Sequence, residues 1–102
     1  MAVTLTLTDD GRTVEVSAGS VVTVRLPENA TTGYRWTVET AAGLEQVDER
    51  FESGGGIGST GAHELQFRAS RVGSFDLRMK HWREWEGERS VDRRFTVKIK
   101  VK

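Results

Sequence analysis

An all-β, antiparallel β-sandwich is the fold class this sequence predicts, and three observations predict it. Apolar residues recur at every second position in one segment after another, the period of a strand with one buried and one wet face. Turn residues such as Asp10-Gly11, Ala18-Gly19-Ser20 and Ala42-Gly43 fall between these segments. No segment gives a convincing helical spacing. About seven to eight short strands result, which suits a sandwich.

Val3, Leu5 and Leu7 alternate with Thr4, Thr6 and Thr8, and predict a first strand that ends at the turn Asp9-Asp10-Gly11. Val14 and Val16 mark a second strand, and Val22, Val24 and Leu26 share one face of a third. Pro27 is the only proline, and it stands where that strand is expected to stop. Beyond a short polar loop, Tyr34, Trp36 and Val38 share a face, with Trp36 expected at the centre of the core. Leu44 to Phe51 is ambiguous, because Leu44, Val47 and Phe51 are spaced three and four apart. The alternation of Val47, Glu49 and Phe51 favours an irregular strand. Three clean strands follow: Leu65, Phe67 and Ala69; Phe75, Leu77 and Met79; Phe95, Val97, Ile99 and Val101, each with polar or charged residues between. Ser53 to Gly61 holds five glycines in nine residues, so its backbone has little intrinsic order or comes very close to a partner.

The 102 residues fit one domain, 1–102, long enough to bury a core without a metal or disulfide. With no cysteine there is no thiolate nucleophile and no Cys-based metal site. Fifteen basic and fifteen acidic residues balance to zero, which argues against a general nucleic-acid or anionic-membrane surface. The apolar runs are too short for a membrane-spanning helix. No basic-then-apolar leader precedes Val3, so the expectation is a cytoplasmic protein or the mature form of a secreted or periplasmic one. A monomer is expected.

Nothing marks an enzyme. His63 and His81 are the only histidines, without partners at ligand spacing, and both are expected at the surface or rim. Nucleophile elbow and phosphate loop are missing, so neither a catalytic residue, a metal nor a cofactor is assigned. Three loops stand out instead: Asn29–Gly33, Gly54–Gly61 and Trp82–Gly87. All three join strands at the same turn parity, so a sandwich can gather them at one end. Glycines and small hydroxyl residues allow close approach, and Trp and Arg are enriched at interface hot spots. For Trp82 the structural reading, a cap on the core edge, is preferred. For Arg83 and Trp85, set among Glu84, Glu86 and Gly87, exposure is preferred, because apolar bulk in a charged loop is poorly explained by folding.

These letters resemble a known family. Asn29-Ala30-Thr31-Thr32-Gly33, followed by Tyr34 and Trp36, is similar to the Asn-Pro-Thr-Thr-Gly motif of the chagasin-like inhibitors of papain-family cysteine proteases. Gly58-Ser59-Thr60-Gly61 matches that family's Gly-x-Gly-Gly, and Arg83-Glu84-Trp85 its Arg-Pro-Trp. The order of motifs and the strand pattern agree over essentially the whole chain. The resemblance implies an immunoglobulin-like sandwich and reversible, non-covalent inhibition, with three loops occluding the cleft of a cathepsin-type protease. Thr31 and Thr32 would then sit beside the catalytic cysteine of the protease, with Gly58–Gly61 along one side and Arg83 and Trp85 on the other. Three departures stand out. Ala30 replaces a proline, which frees φ and raises the cost of holding the loop by roughly 0.4–1 kcal/mol. Thr60 replaces a glycine, and Glu84 replaces a proline. The alternative is a non-inhibitory module that binds a carbohydrate or protein ligand through exposed Trp82 and Trp85.

Overall fold

A computed structural model of the chain describes residues 2–52 and 61–102, with only the backbone of Ala30. The segment 53–60, which holds most of the Gly-rich patch, lies outside the described residues. Among the described residues, eight strands form two four-stranded sheets, as the alternation predicts. The strands are β1 (Ala2–Leu5), β2 (Thr13–Val16), β3 (Ser20–Glu28), β4 (Arg35–Thr40), β5 (Glu45–Glu52), β6 (Gly61–Ala69), β7 (Gly73–Trp82) and β8 (Arg93–Val101). One sheet runs β1-β3-β6-β5 and the other β2-β8-β7-β4. Between described strands the only helical elements are 3-10 turns.

The core is the sum of the inward positions. Val22, Val24, Leu26, Leu65 and Phe67 from one sheet meet Leu77, Met79, Phe95, Val97 and Ile99 from the other, all fully buried or nearly so. Each such side chain contributes about 1.5–3 kcal/mol by leaving water. The ambiguous segment is a strand, β5, with an irregularity between Gln46 and Asp48 that explains its uneven alternation.

The structure corrects two boundaries and adds a detail of pairing. Leu7 and Thr8 do not extend β1; Leu7–Asp9 is a 3-10 turn. The Thr6 amide donates to Asp9 Oδ2 at 2.9 Å and the Asp9 amide to the Thr6 carbonyl at 2.9 Å, so local bonds win over the alternation. Pro27 does not end β3, which continues to Glu28 with Pro27 opposite Ala62. The neighbouring β1 has already ended at Leu5, opposite Val24, so no strand lies on that side to need the missing N–H. The outer strands β1 and β2 run parallel to β3 and β8, while every other pair is antiparallel.

The register sets the functional end. Glu28 pairs with Gly61, Glu52 with Ala62, Arg35 with Trp82, and His81 with Arg93. The strand ends flanking all three candidate loops therefore lie at one end of the sandwich.

Candidate functional site

The first loop holds itself together with its own side chains. Asn29 Oδ1 accepts the Thr31 amide at 3.0 Å and the Thr31 hydroxyl at 2.7 Å. Thr32 Oγ1 donates to the Asn29 carbonyl at 2.8 Å and accepts the Tyr34 amide at 3.2 Å. These bonds wind Ala30–Thr32 into a 3-10 turn, and Gly33 leaves it at φ +78°. Asn, Thr and Gly are thus each required by the loop's shape: a side-chain acceptor, a hydroxyl relay and a left-handed φ. Thr31 and Thr32 are exposed at the tip.

The loop's root is fastened to the sandwich. The Trp36 amide donates to Glu28 Oε1 at 2.6 Å, and Trp36 Nε1 donates to the Pro27 carbonyl at 2.9 Å. Trp36 is 3 % exposed, but it stands at the loop end of the core and not at its centre, where it closes the loop. Its ring meets His81, with centroids 5.0 Å apart, and His81 stacks on Tyr34 at 5.2 Å. Arg83 completes the row, its guanidinium carbon 4.6 Å from the Tyr34 ring centroid. A cation–π contact of this kind contributes about 0.5–1 kcal/mol where it is partly solvated.

The third loop leans on the first. Arg83 Nε donates to the Thr32 carbonyl at 3.1 Å, and its Nη1 lies 3.4 Å from Glu86 Oε1. Ser90 Oγ accepts the Arg83 amide at 3.0 Å and lies within donating distance of the carbonyls of Arg83 and Gly87, which draws the loop closed. Glu84–Glu86 forms a 3-10 turn that projects Trp85 outward, 72 % exposed. A Cβ on Gly33 would stand 2.5 Å from Trp85 Cη2, so the indole lies directly against the first loop. Gly33→Ala is therefore expected to cost about 1–2 kcal/mol, from the left-handed φ and from displacing the ring. Urea unfolding followed by tryptophan emission measures both effects.

The structure brings Asn29, Thr31, Thr32, Gly33, Arg83 and Trp85 into one edge, with the backbone of Ala30 in the turn and Glu84 exposed beside Trp85. Gly61 is the first residue of β6 at the same end, whereas Gly58, Ser59 and Thr60 lie outside the described residues. Trp82 does not cap the core edge. It alternates outward from Met79 and His81, donates Nε1 to Thr37 Oγ1 at 3.0 Å, and carries Lys80 Nζ 3.6 Å from its ring centroid. Its face is thereby covered, and it shares no platform with Trp85. Arg83 is only partly exposed, because it packs on Tyr34.

His63 is also corrected. It is 2 % exposed, not a rim residue, with Nδ1 3.1 Å from Glu28 Oε1 and Nε2 2.8 Å from Glu49 Oε2. Burial pushes its pKa down, but the hydrogen bonds and charges of the two carboxylates outweigh this and raise it above the ordinary 6.5. Burial likewise pushes Glu28 up. Its bonds to His63 and the Trp36 amide, with the charges of His63 and Arg35, reverse this and hold it below the ordinary 4.5. Sequence reasoning places His63 at the surface or rim and does not single out Glu28, although the signal is present in the letters. Glu28 continues the inward series Val22, Val24, Leu26, and His63 begins the inward series Leu65, Phe67, Ala69.

Comparison with known proteins finds a family and a shared fold. Residues 15–99 match the model of the Chagasin family peptidase inhibitor I42. Chagasin of Trypanosoma cruzi is 25 % identical over 105 residues, covering 95 % of this chain and 96 % of its own length. Amoebiasin-1 of Entamoeba histolytica is 28 % identical over 102 residues, covering 95 % and 99 %. The crystal structure of the cysteine protease inhibitor EhICP2 from Entamoeba histolytica superposes with a TM-score of 0.91 at 22 % identity, over 100 % of this chain and 97 % of that one.

Proposed function

This chain belongs to the chagasin family of cysteine-protease inhibitors, and from that premise we propose that Asn29–Gly33 enters the active-site cleft of a papain-like protease while Arg83 and Trp85 press on its rim. It is an inhibitor and not an enzyme. The observation that carries the residue assignment is the seating of Trp85 against Gly33 together with the Arg83 bond to the Thr32 carbonyl. Two separate motifs become one continuous, pre-shaped edge.

Pre-organisation is the source of affinity in this reading. A loop already fixed by Asn29, Thr32, Glu28 and Arg83 loses little freedom on binding, so more of the contact energy remains as affinity. The same shape protects the inhibitor. Ala30–Thr32 is wound in a 3-10 turn, and a wound peptide bond does not present its carbonyl as an extended substrate does. Thr31 and Thr32 fill the space beside the catalytic cysteine and exclude water and substrate without offering a bond in attack geometry. We assign Gly58–Gly61 to the protease contact by its motif alone.

The test is titration against papain, following hydrolysis of a small fluorogenic substrate. Competitive, reversible inhibition is expected, and no inhibition at micromolar protein across several papain-like enzymes would end this reading. Ala30→Pro addresses the loop directly. Ala30 opens the turn, the position where a helical turn tolerates the missing N–H and fixed φ of proline. The substitution is expected to tighten binding by about 0.4–1 kcal/mol, roughly two- to fivefold, because the free loop has less freedom to lose. A weaker complex would mean that the bound loop has a shape proline cannot adopt.

A further inference from the structure

Glu28, His63 and Glu49 form a triad that the inhibitory motifs do not include. Both ring nitrogens of His63 face carboxylate oxygens, Glu28 at 3.1 Å and Glu49 at 2.8 Å. A neutral imidazole carries one N–H, so it can donate to only one of them and must turn a lone pair on the other. The imidazolium alone satisfies both.

The surroundings fix the ring in this position. On β5, Phe51 stacks over it with centroids 4.1 Å apart, and the Arg35 guanidinium carbon of β4 lies 5.1 Å from the Phe51 ring centroid. The charged groups around His63 are therefore Glu28 from β3, Glu49 from β5 and, beside Phe51 and acting on Glu28, Arg35 from β4. Glu64, next along β6, points to the outer face and pairs with Arg25 and Arg50. Glu28 is buried and cannot swing to water, whereas the Glu49 side chain is 46 % exposed and can.

The triad also joins two loop roots. The oxygen of Glu28 that meets His63 is the one that accepts the Trp36 amide and closes the first loop. Glu49 belongs to β5, which forms a hairpin with β6. We propose that protonated His63 is a positioning residue for the inhibitory edge, holding the root of the first loop against the β5–β6 hairpin, so that affinity for the protease falls when the ring loses its proton. This rests on the assignment of Asn29–Gly33 to the protease cleft. The sign follows from the two displacements. The His63 contribution is complete below the ordinary 6.5 and is lost as pH rises through its higher folded-state value. The Glu28 contribution is present above the ordinary 4.5 and is lost as pH falls through its lower folded-state value. Both operate together in mildly acidic solution.

Two measurements on the full chain test this. Nitrogen NMR of the free protein should show both His63 ring nitrogens protonated near pH 6, a midpoint above 6.5, and the Trp36 amide moving with that midpoint. Inhibition constants against papain, from about pH 5.5 to about pH 8.5, should be compared between the native chain and His63→Gln, which cancels the pH response of the enzyme. The native advantage should shrink as pH rises across this range, because deprotonation of His63 removes the hold on the loop root. A constant ratio, or a midpoint at or below 6.5, overturns the proposal. If His63→Gln does not fold, Glu49→Gln at its half-exposed site takes its place. It should lower the midpoint and flatten the inhibition profile, and leaving both unchanged is equally fatal. Absence of inhibition at every pH would defeat the inhibitory reading, while the Trp36 titration would still decide whether His63 governs the loop root.

Discussion

Trp36→Ala will lower the unfolding free energy by about 3–5 kcal/mol, the range for removing a buried aromatic side chain. Trp36 is 3 % exposed, so its whole ring is lost to a cavity that the edge strand β4 can only partly close. The substitution also leaves the Pro27 carbonyl without its indole donor and removes one neighbour of the stacked His81. Small domains have about 5–15 kcal/mol in total, so the variant will be marginal. Inhibition should fall more than the unfolded fraction accounts for, because Trp36 also fixes the entry to the first loop. Trp36→Phe separates the two contributions. It keeps most of the volume and loses the Nε1 bond, so a loss nearer 1–2 kcal/mol is expected. Urea unfolding by circular dichroism measures both variants. A loss below about 1 kcal/mol for Trp36→Ala would show that the loop root does not depend on this ring.

Trp85→Ala should behave in the opposite way. The indole is 72 % exposed and lies against Gly33, so stability should change by no more than about 0.5 kcal/mol. Affinity for a papain-like protease should drop by about 2 kcal/mol or more, roughly thirtyfold, as for other exposed aromatic anchors that a partner buries. The inhibition constant and the urea midpoint should be measured on the same preparation. An unchanged inhibition constant would remove the third loop from the interface.

The sequence carried much of this architecture, and where it misled, nearby bonds explain why. The two-residue period located β3, β6, β7 and β8, because each buries one face against the other sheet. It overran at Leu7, where the Thr6–Asp9 bonds turn the chain. It stopped one residue short at Pro27, because whether a proline is tolerated depends on a neighbouring strand that local letters do not reveal. The parallel placement of β1 and β2 was out of reach for the same reason. At the site, Asn29, Thr31, Thr32 and Gly33 stood out as letters, and the structure adds that three of these side chains and one φ are spent on the loop's own shape. The burial of His63 follows from its place in the inward series Leu65, Phe67, Ala69, which residue type alone does not reveal. The proline missing at position 30 also looks different once the Glu28 and Arg83 bonds are known. The loop is held from both sides by residues outside its motif.

The position of β8 has a consequence for biosynthesis. Arg93–Val101 lies in the interior of its sheet, bonded to β2 on one side and β7 on the other. A strand formed by residues 13–16 therefore has no partner until residues 98–101 have emerged from the ribosome. Everything from residue 13 to residue 101 must be present before this sheet is complete, and until then the inward faces of β2 and β7 stand open. Such long-range pairing slows folding, and the apolar strand faces are open to aggregation until it is made.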